Sequence, residues 1–93
     1  MYIILVYDIC TIEKEGQKRL NKVMKLCRQY LHHTQKSVFE GELSEAKFIK
    51  LQNSIKNIID FNNDYVIFYR IDNKNNVKKY NLGISFDPTT NIF

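Results

Sequence analysis

Two short runs of this sequence, Tyr2–Asp8 (YIILVYD) and Asp64–Ile71 (DYVIFYRI), are apolar or aromatic at both odd and even positions. Side chains of a strand alternate between two faces, so an antiparallel strand with one face in water should alternate apolar and polar. These two runs do not. In the first, Ile3, Leu5 and Tyr7 oppose Ile4 and Val6; in the second, Tyr65, Ile67, Tyr69 and Ile71 oppose Val66 and Phe68. Each such side chain is worth roughly 1.5–3 kcal/mol when fully buried. A sheet built from these runs therefore needs cover on both faces.

Between and after the runs, the pattern predicts helices and further strands. A helix is expected from near Glu13, with Leu20, Val23, Met24, Cys27, Tyr30 and Leu31 on its core side. Lys14, Lys18, Lys22 and Lys25 fall opposite, Arg19 and Arg28 flank the boundaries, and Gly16 sits in the first turn. Thr34–Gly41 (TQKSVFEG) reads as a second strand. Ser44 is placed to cap a second helix, with Glu45 in its first turn and Phe48, Leu51, Ile55, Ile58 and Ile59 as its stripe. Residues 60–64 form a loop. The turn DNKNN at 72–76 predicts a hairpin partner for Asp64–Ile71 at Val77–Leu82, which Gly83–Phe86 extends or follows with a short strand. The fold class expected is α+β: a ferredoxin-like β-α-β-β-α-β antiparallel sheet with both helices on one face and a short C-terminal strand. The domain is expected over residues 1–86, with a tail over 87–93 opened by Asp87-Pro88.

A chain of 93 residues is one small domain. It buries only about 60–65% of its unfolded surface, which favours an oligomer. No apolar run reaches the ~20 residues of a membrane span. Cys10 and Cys27 match no metal or redox spacing and are expected as buried or semi-buried thiols in a reducing cytoplasm. Two partners could cover the helix-free sheet face: a second copy, giving a homodimer, or single-stranded RNA stacked on aromatics. The RNA-recognition consensus requires a glycine that Asp64–Ile71 lacks, so the homodimer is the expected answer.

Asp8 ends the first apolar run, either as a turn-former or as a functional carboxylate. Near a two-fold axis it would meet its symmetry mate, and two close carboxylates call for a proton or a cation between them. Mg²⁺, held by one or two carboxylates plus waters and phosphate oxygens, suits that position and could polarise a phosphodiester. His32 and His33 are adjacent, point apart and make a poor ligand pair; one is expected half-buried and one solvated. Ser37 has no base nearby in sequence, and Glu40 and Glu42 are expected as solvated charges. From position 14 to 36 there are seven Lys or Arg and one acid, Glu15. That excess suits contacts to phosphates by Lys14, Lys18, Arg19, Lys22, Lys25 and Arg28.

The run Tyr7-Asp8-Ile9, the basic helix with Arg19 and Lys22-Val23, then Gln35, Ser37-Val38-Phe39-Glu40-Gly41, and finally Asp64 and Tyr69 resemble the small CRISPR-associated adaptation family, Cas two. The resemblance implies a ferredoxin-like homodimer with a strand near the C-terminus crossing to the partner's sheet. It implies spacer acquisition in antiviral defence, together with the larger integrase subunit. It further implies binding of duplex DNA or single-stranded RNA and, in some members, metal-dependent endonuclease or endoribonuclease action. Asp8 then matches the metal-binding and catalytic aspartate, and Tyr7 and Phe39 match aromatic positions near the catalytic site. The alternatives are a non-catalytic dimeric DNA scaffold, and a toxin-like RNase or RNA-binding module of the same fold.

Overall fold

The computed structural model describes residues 1–84. The elements are β1 (Tyr2–Asp8), α1 (Lys14–Arg28), β2 (His32–Gln35), β3 (Val38–Glu42), α2 (Glu45–Lys56) and β4 (Tyr65–Ile71), followed by a 3-10 turn at Lys74–Asn76. The four strands make one antiparallel sheet in the order β2-β3-β1-β4. The doubly apolar β1 thus lies inside the sheet, paired on both edges. Its Ile3, Leu5 and Tyr7 meet Phe39 of β3, Val23 and Cys27 of α1, and Phe48, Leu51 and Ile55 of α2 in one core. Phe48 sets its ring edge-on to Phe68 of β4 at 5.6 Å. Both helices therefore cover the same face, and the class is α+β with the split β-α-β-β-α-β order.

That order arises from a different assignment of residues than the sequence suggests. The run expected as one strand, Thr34–Gly41, belongs to a hairpin that starts earlier and turns at Lys36–Ser37. The turn has no Gly or Asn, and among the described residues only Gly83 has a positive φ. It is therefore not one of the primed two-residue turns that carry a sequence signal. A register irregularity between His33 and Gln35 takes up the mismatch.

The second correction concerns Val77–Leu82, which forms no strand. Asn73 accepts a hydrogen bond from the Asn75 N–H at 3.0 Å and closes DNKNN into a 3-10 turn. The chain then passes over the helix-free face, where Lys79 reaches Glu40 at 3.0 Å. Together, residues 77–82 and the β2–β3 part of that face border a cleft of about 850 Å³. Gly83 and Ile84 are likewise not in a strand. The expected end of the domain at residue 86 and the tail beyond it lie outside the described residues.

Both helix starts follow from local chemistry. Ser44 caps α2 by accepting from the Lys47 N–H at 3.2 Å. Helix α1 has no side-chain cap. It starts instead in close contact with the preceding loop: a Cβ on the buried Gly16 would overlap the Cys10 carbonyl oxygen. Gly16→Ala is expected to cost about 1–3 kcal/mol through this overlap, measured as a lower urea midpoint at unchanged slope. An unchanged midpoint would show that the loop can yield.

Candidate metal and nucleic-acid site

Asp8 occupies the last rung of the β1–β4 ladder, opposite Tyr65. By the alternation of the strand it shares the helix-free face with Ile4 and Val6. Its side chain is exposed, and among the described residues it has no hydrogen bond or ion pair. Beside it, at the end of the sheet, is a cleft of about 210 Å³ bordered by Tyr7, Asp8, Thr11, Lys36, Ser37 and Leu20.

Tyr7 and Phe39, the aromatic positions that the family pattern puts near the site, are both buried. Tyr7 points into the core with 4% exposure, and Phe39 has none. Tyr7 anchors the β2–β3 turn: its hydroxyl donates to the Lys36 carbonyl at 2.6 Å, and its N–H to the Ser37 carbonyl at 3.0 Å. Burial pushes the Tyr7 phenol above its usual range. Phe39 stacks on the half-buried His33 ring at 4.6 Å, while His32 is exposed. Cys10 is half-buried and Cys27 buried, both unbridged. Burial pushes the Cys27 thiol up to about 12, so it stays protonated and inert.

Two carboxylates that the sequence presents as a loop residue and a solvated charge turn out to be hubs. The Asp64 side chain is fully buried against Arg19. Its Oδ2 accepts from Arg19 Nε at 2.7 Å and from the Asp60 N–H at 2.8 Å. Its Oδ1 accepts from Arg19 Nη2 at 3.2 Å and from the Cys10 N–H at 3.0 Å. Burial alone would raise the Asp64 carboxyl; the Arg19 guanidinium and the two backbone N–H groups outweigh it and hold the group below the usual range. Glu40, at 9% exposure, accepts from the Tyr2 hydroxyl at 3.0 Å and the Thr34 hydroxyl at 2.8 Å, besides its pair with Lys79. Burial again opposes ionisation, and Lys79, Thr34 and Tyr2 together reverse it. Glu42 is the solvated one, paired with Lys74 at 3.3 Å. Only an unusual placement of acids, one before and one within an apolar strand, could have flagged these roles.

Of the basic residues, Lys14, Lys18, Lys22, Lys25 and Arg28 are exposed along α1. Arg19 is not part of that row in function, because its guanidinium is committed to Asp64 and its side chain is only 20% exposed. Among the described residues no group of three His, Cys, Asp or Glu gathers to hold a metal. One chain thus offers a lone carboxylate, in a cleft that Thr11, Lys36 and Ser37 also border. A lone carboxylate with no His or Cys among the described residues at the cleft fits a hard, largely hydrated cation such as Mg²⁺ and not a zinc or iron centre. No helix among the described residues is long and apolar enough to cross a membrane.

An antiparallel β2-β3-β1-β4 sheet with two helices on one face and an exposed acid closing its central strand defines a small split β-α-β-β-α-β protein. Residues 1–79 match the family CRISPR associated protein Cas2, and the chain belongs to that family. A curated relative from Moorella thermoacetica, CRISPR-associated endoribonuclease Cas2 2, is 40% identical over 97% of this chain and 99% of its own length. A solved structure of a Cas2 protein superposes with a TM-score of 0.80 at 36% identity, covering 100% of this chain and 98% of that one. Streptococcus pyogenes Cas2 superposes at 0.73 with 32% identity, over 87% of this chain and 100% of that one.

The two buried acids contribute to the acid stability. Both carboxyls are depressed in the folded state, so their stabilisation is complete above the unfolded values near pH 4. It is lost as pH falls through the lower folded values, because the unfolded chain takes up protons first. Urea midpoints are expected to be flat from about pH 7 to 5.5 and to fall steeply below about pH 4. Glu40→Gln should make that fall shallower; an identical slope would remove Glu40 from the account.

Proposed function

We propose that this protein is a homodimeric CRISPR adaptation protein of antiviral defence, working in the cytoplasm. It binds nucleic acid together with the integrase subunit during spacer acquisition and hydrolyses phosphodiester bonds with Mg²⁺ held at Asp8. The observation that carries this reading is the exposed Asp8 carboxylate, without a hydrogen bond or ion pair among the described residues, at the end of the central strand in a chain of this family. A lone carboxylate gives Mg²⁺ one anchor, and a second copy packed on the helix-free face supplies another. Support for that packing comes from the half-buried Ile4, Val6 and Ile67 and the exposed Tyr65 and Tyr69 on this face. The strand that crosses to the partner's sheet is assigned to Gly83–Phe86, of which Gly83 and Ile84 are among the described residues. The unpaired outer edge of β4 is where a crossing strand has hydrogen-bonding groups to meet.

In this reading Asp8 would hold Mg²⁺, which when bound would supply Lewis-acid polarisation of a phosphodiester and a water of lowered pKa. The chain's own residues do the rest. Asp8 anchors the cation, Tyr7 holds the Lys36–Ser37 turn against the cleft, and Lys14, Lys18, Lys22, Lys25 and Arg28 take the phosphates of duplex DNA or single-stranded RNA. A second reading, a DNA-binding scaffold without cleavage, is favoured by the single acid that each chain contributes.

Asp8→Ala separates the two. It is expected to reduce Mg²⁺-dependent cleavage at least a hundred-fold, with dimer mass and DNA affinity kept. Cleavage that survives the substitution would leave the scaffold standing. For the basic helix, Lys18→Ala with Lys22→Ala is expected to lower the log–log salt slope of duplex binding by about two, near 0.9 for each phosphate no longer neutralised. A full slope would place the phosphate-binding groups elsewhere.

A further inference from the structure

The geometry points to Asp64, together with Arg19, as the positioning pair for Asp8: their buried ion pair pins the backbone on both strands at the rung that carries the Asp8 carboxylate. The inference rests on Asp8 being the site's metal ligand and names what holds it in place. Ends of strands fray, because the last rung has ladder support on one side only. Asp8 is on such a rung, and its own side chain has no bond among the described residues to steady it.

The support comes from the residues around it. Asp64 immediately precedes Tyr65, the ladder partner of Asp8. From there Oδ1 reaches across to the Cys10 N–H at 3.0 Å, two residues beyond Asp8. Arg19 Nη2 lies 3.5 Å from the Cys10 carbonyl oxygen and, with Nε, holds Asp64 in the two-pronged geometry that fixes a carboxylate plane. Gly16 lets α1 close on the same carbonyl. The Cys10 peptide is thus held at both its N–H and its C=O, and Tyr65 is held through Asp64. A site whose reacting carboxylate must stay exposed cannot fix it by direct hydrogen bonds without occupying its lone pairs; fixing the backbone on either side leaves them all for the ligand.

Mn²⁺ serves as the probe, read by paramagnetic broadening of the Asp8 and Tyr65 amide signals in the full-length protein. The readout is taken well below the unfolding temperature. Asp64→Asn and, independently, Arg19→Lys are expected to weaken Mn²⁺ binding about 10–100-fold. Faster amide exchange at Ile9 and Cys10 should accompany the loss. Arg19→Lys keeps the charge but removes the two-pronged geometry, and it carries the test if Asp64→Asn does not fold. Asp8→Ala is the control. If it abolishes the broadening while folded Asp64→Asn and Arg19→Lys bind Mn²⁺ as tightly as the parent, the positioning inference alone is overturned. If Asp8→Ala leaves the broadening unchanged, the metal reading fails and the inference falls with it.

Discussion

Strand β1 is apolar on both of its faces, and neither its edges nor its faces can be left in water at low cost. Pairing with β3 and β4 satisfies the edges, and the helices satisfy one face. The remaining face is only partly covered, by residues 77–84. The strand stops being apolar at Asp8, which is where the sheet ends and solvent begins. The position of the candidate site is therefore set by where the burial requirement of this strand runs out.

Much of this is legible in the residues. Parity in Tyr2–Asp8 separates core from outer face, helix spacing picks out Val23, Cys27, Leu51 and Ile55, and Ser44 marks the start of α2. What the pattern does not show is how segments distant in sequence meet. The Lys36–Ser37 turn is silent in the sequence because it needs no left-handed residue. Val77–Leu82 reads as a strand because periodicity does not tell a ladder from an extended chain held by one lysine. Tyr7 and Phe39 are expected near the catalytic site; Tyr7 has the inward parity of Leu5, and Phe39 is Leu5's ladder partner, so both rings end up buried. Asp64 carries no local signal beyond its place before an apolar strand, since its partners Cys10 and Arg19 are brought to it only by folding.

Three of the acids show two kinds of role. Asp64 and Glu40 are buried, accept several hydrogen bonds each and tie loops or segments to the sheet. Asp8 is exposed and, among the described residues, accepts none. The burial cost of the first two is offset by cations and hydroxyls already in place, which leaves the third available to a ligand. The basic row of α1 divides the same way, with Arg19 turned inward and the lysines outward.

The sheet order also constrains how the molecule comes into being. β1 leaves the ribosome early, but one of its two neighbours, β4, follows only after residues 9–64 have been made. Until then one whole edge of the greasiest strand is open to any other extended chain nearby. Closure across so long a stretch is slow compared with making a helix or a hairpin. The newborn protein therefore passes through a vulnerable interval that chaperones or fast translation of the middle segment would shorten.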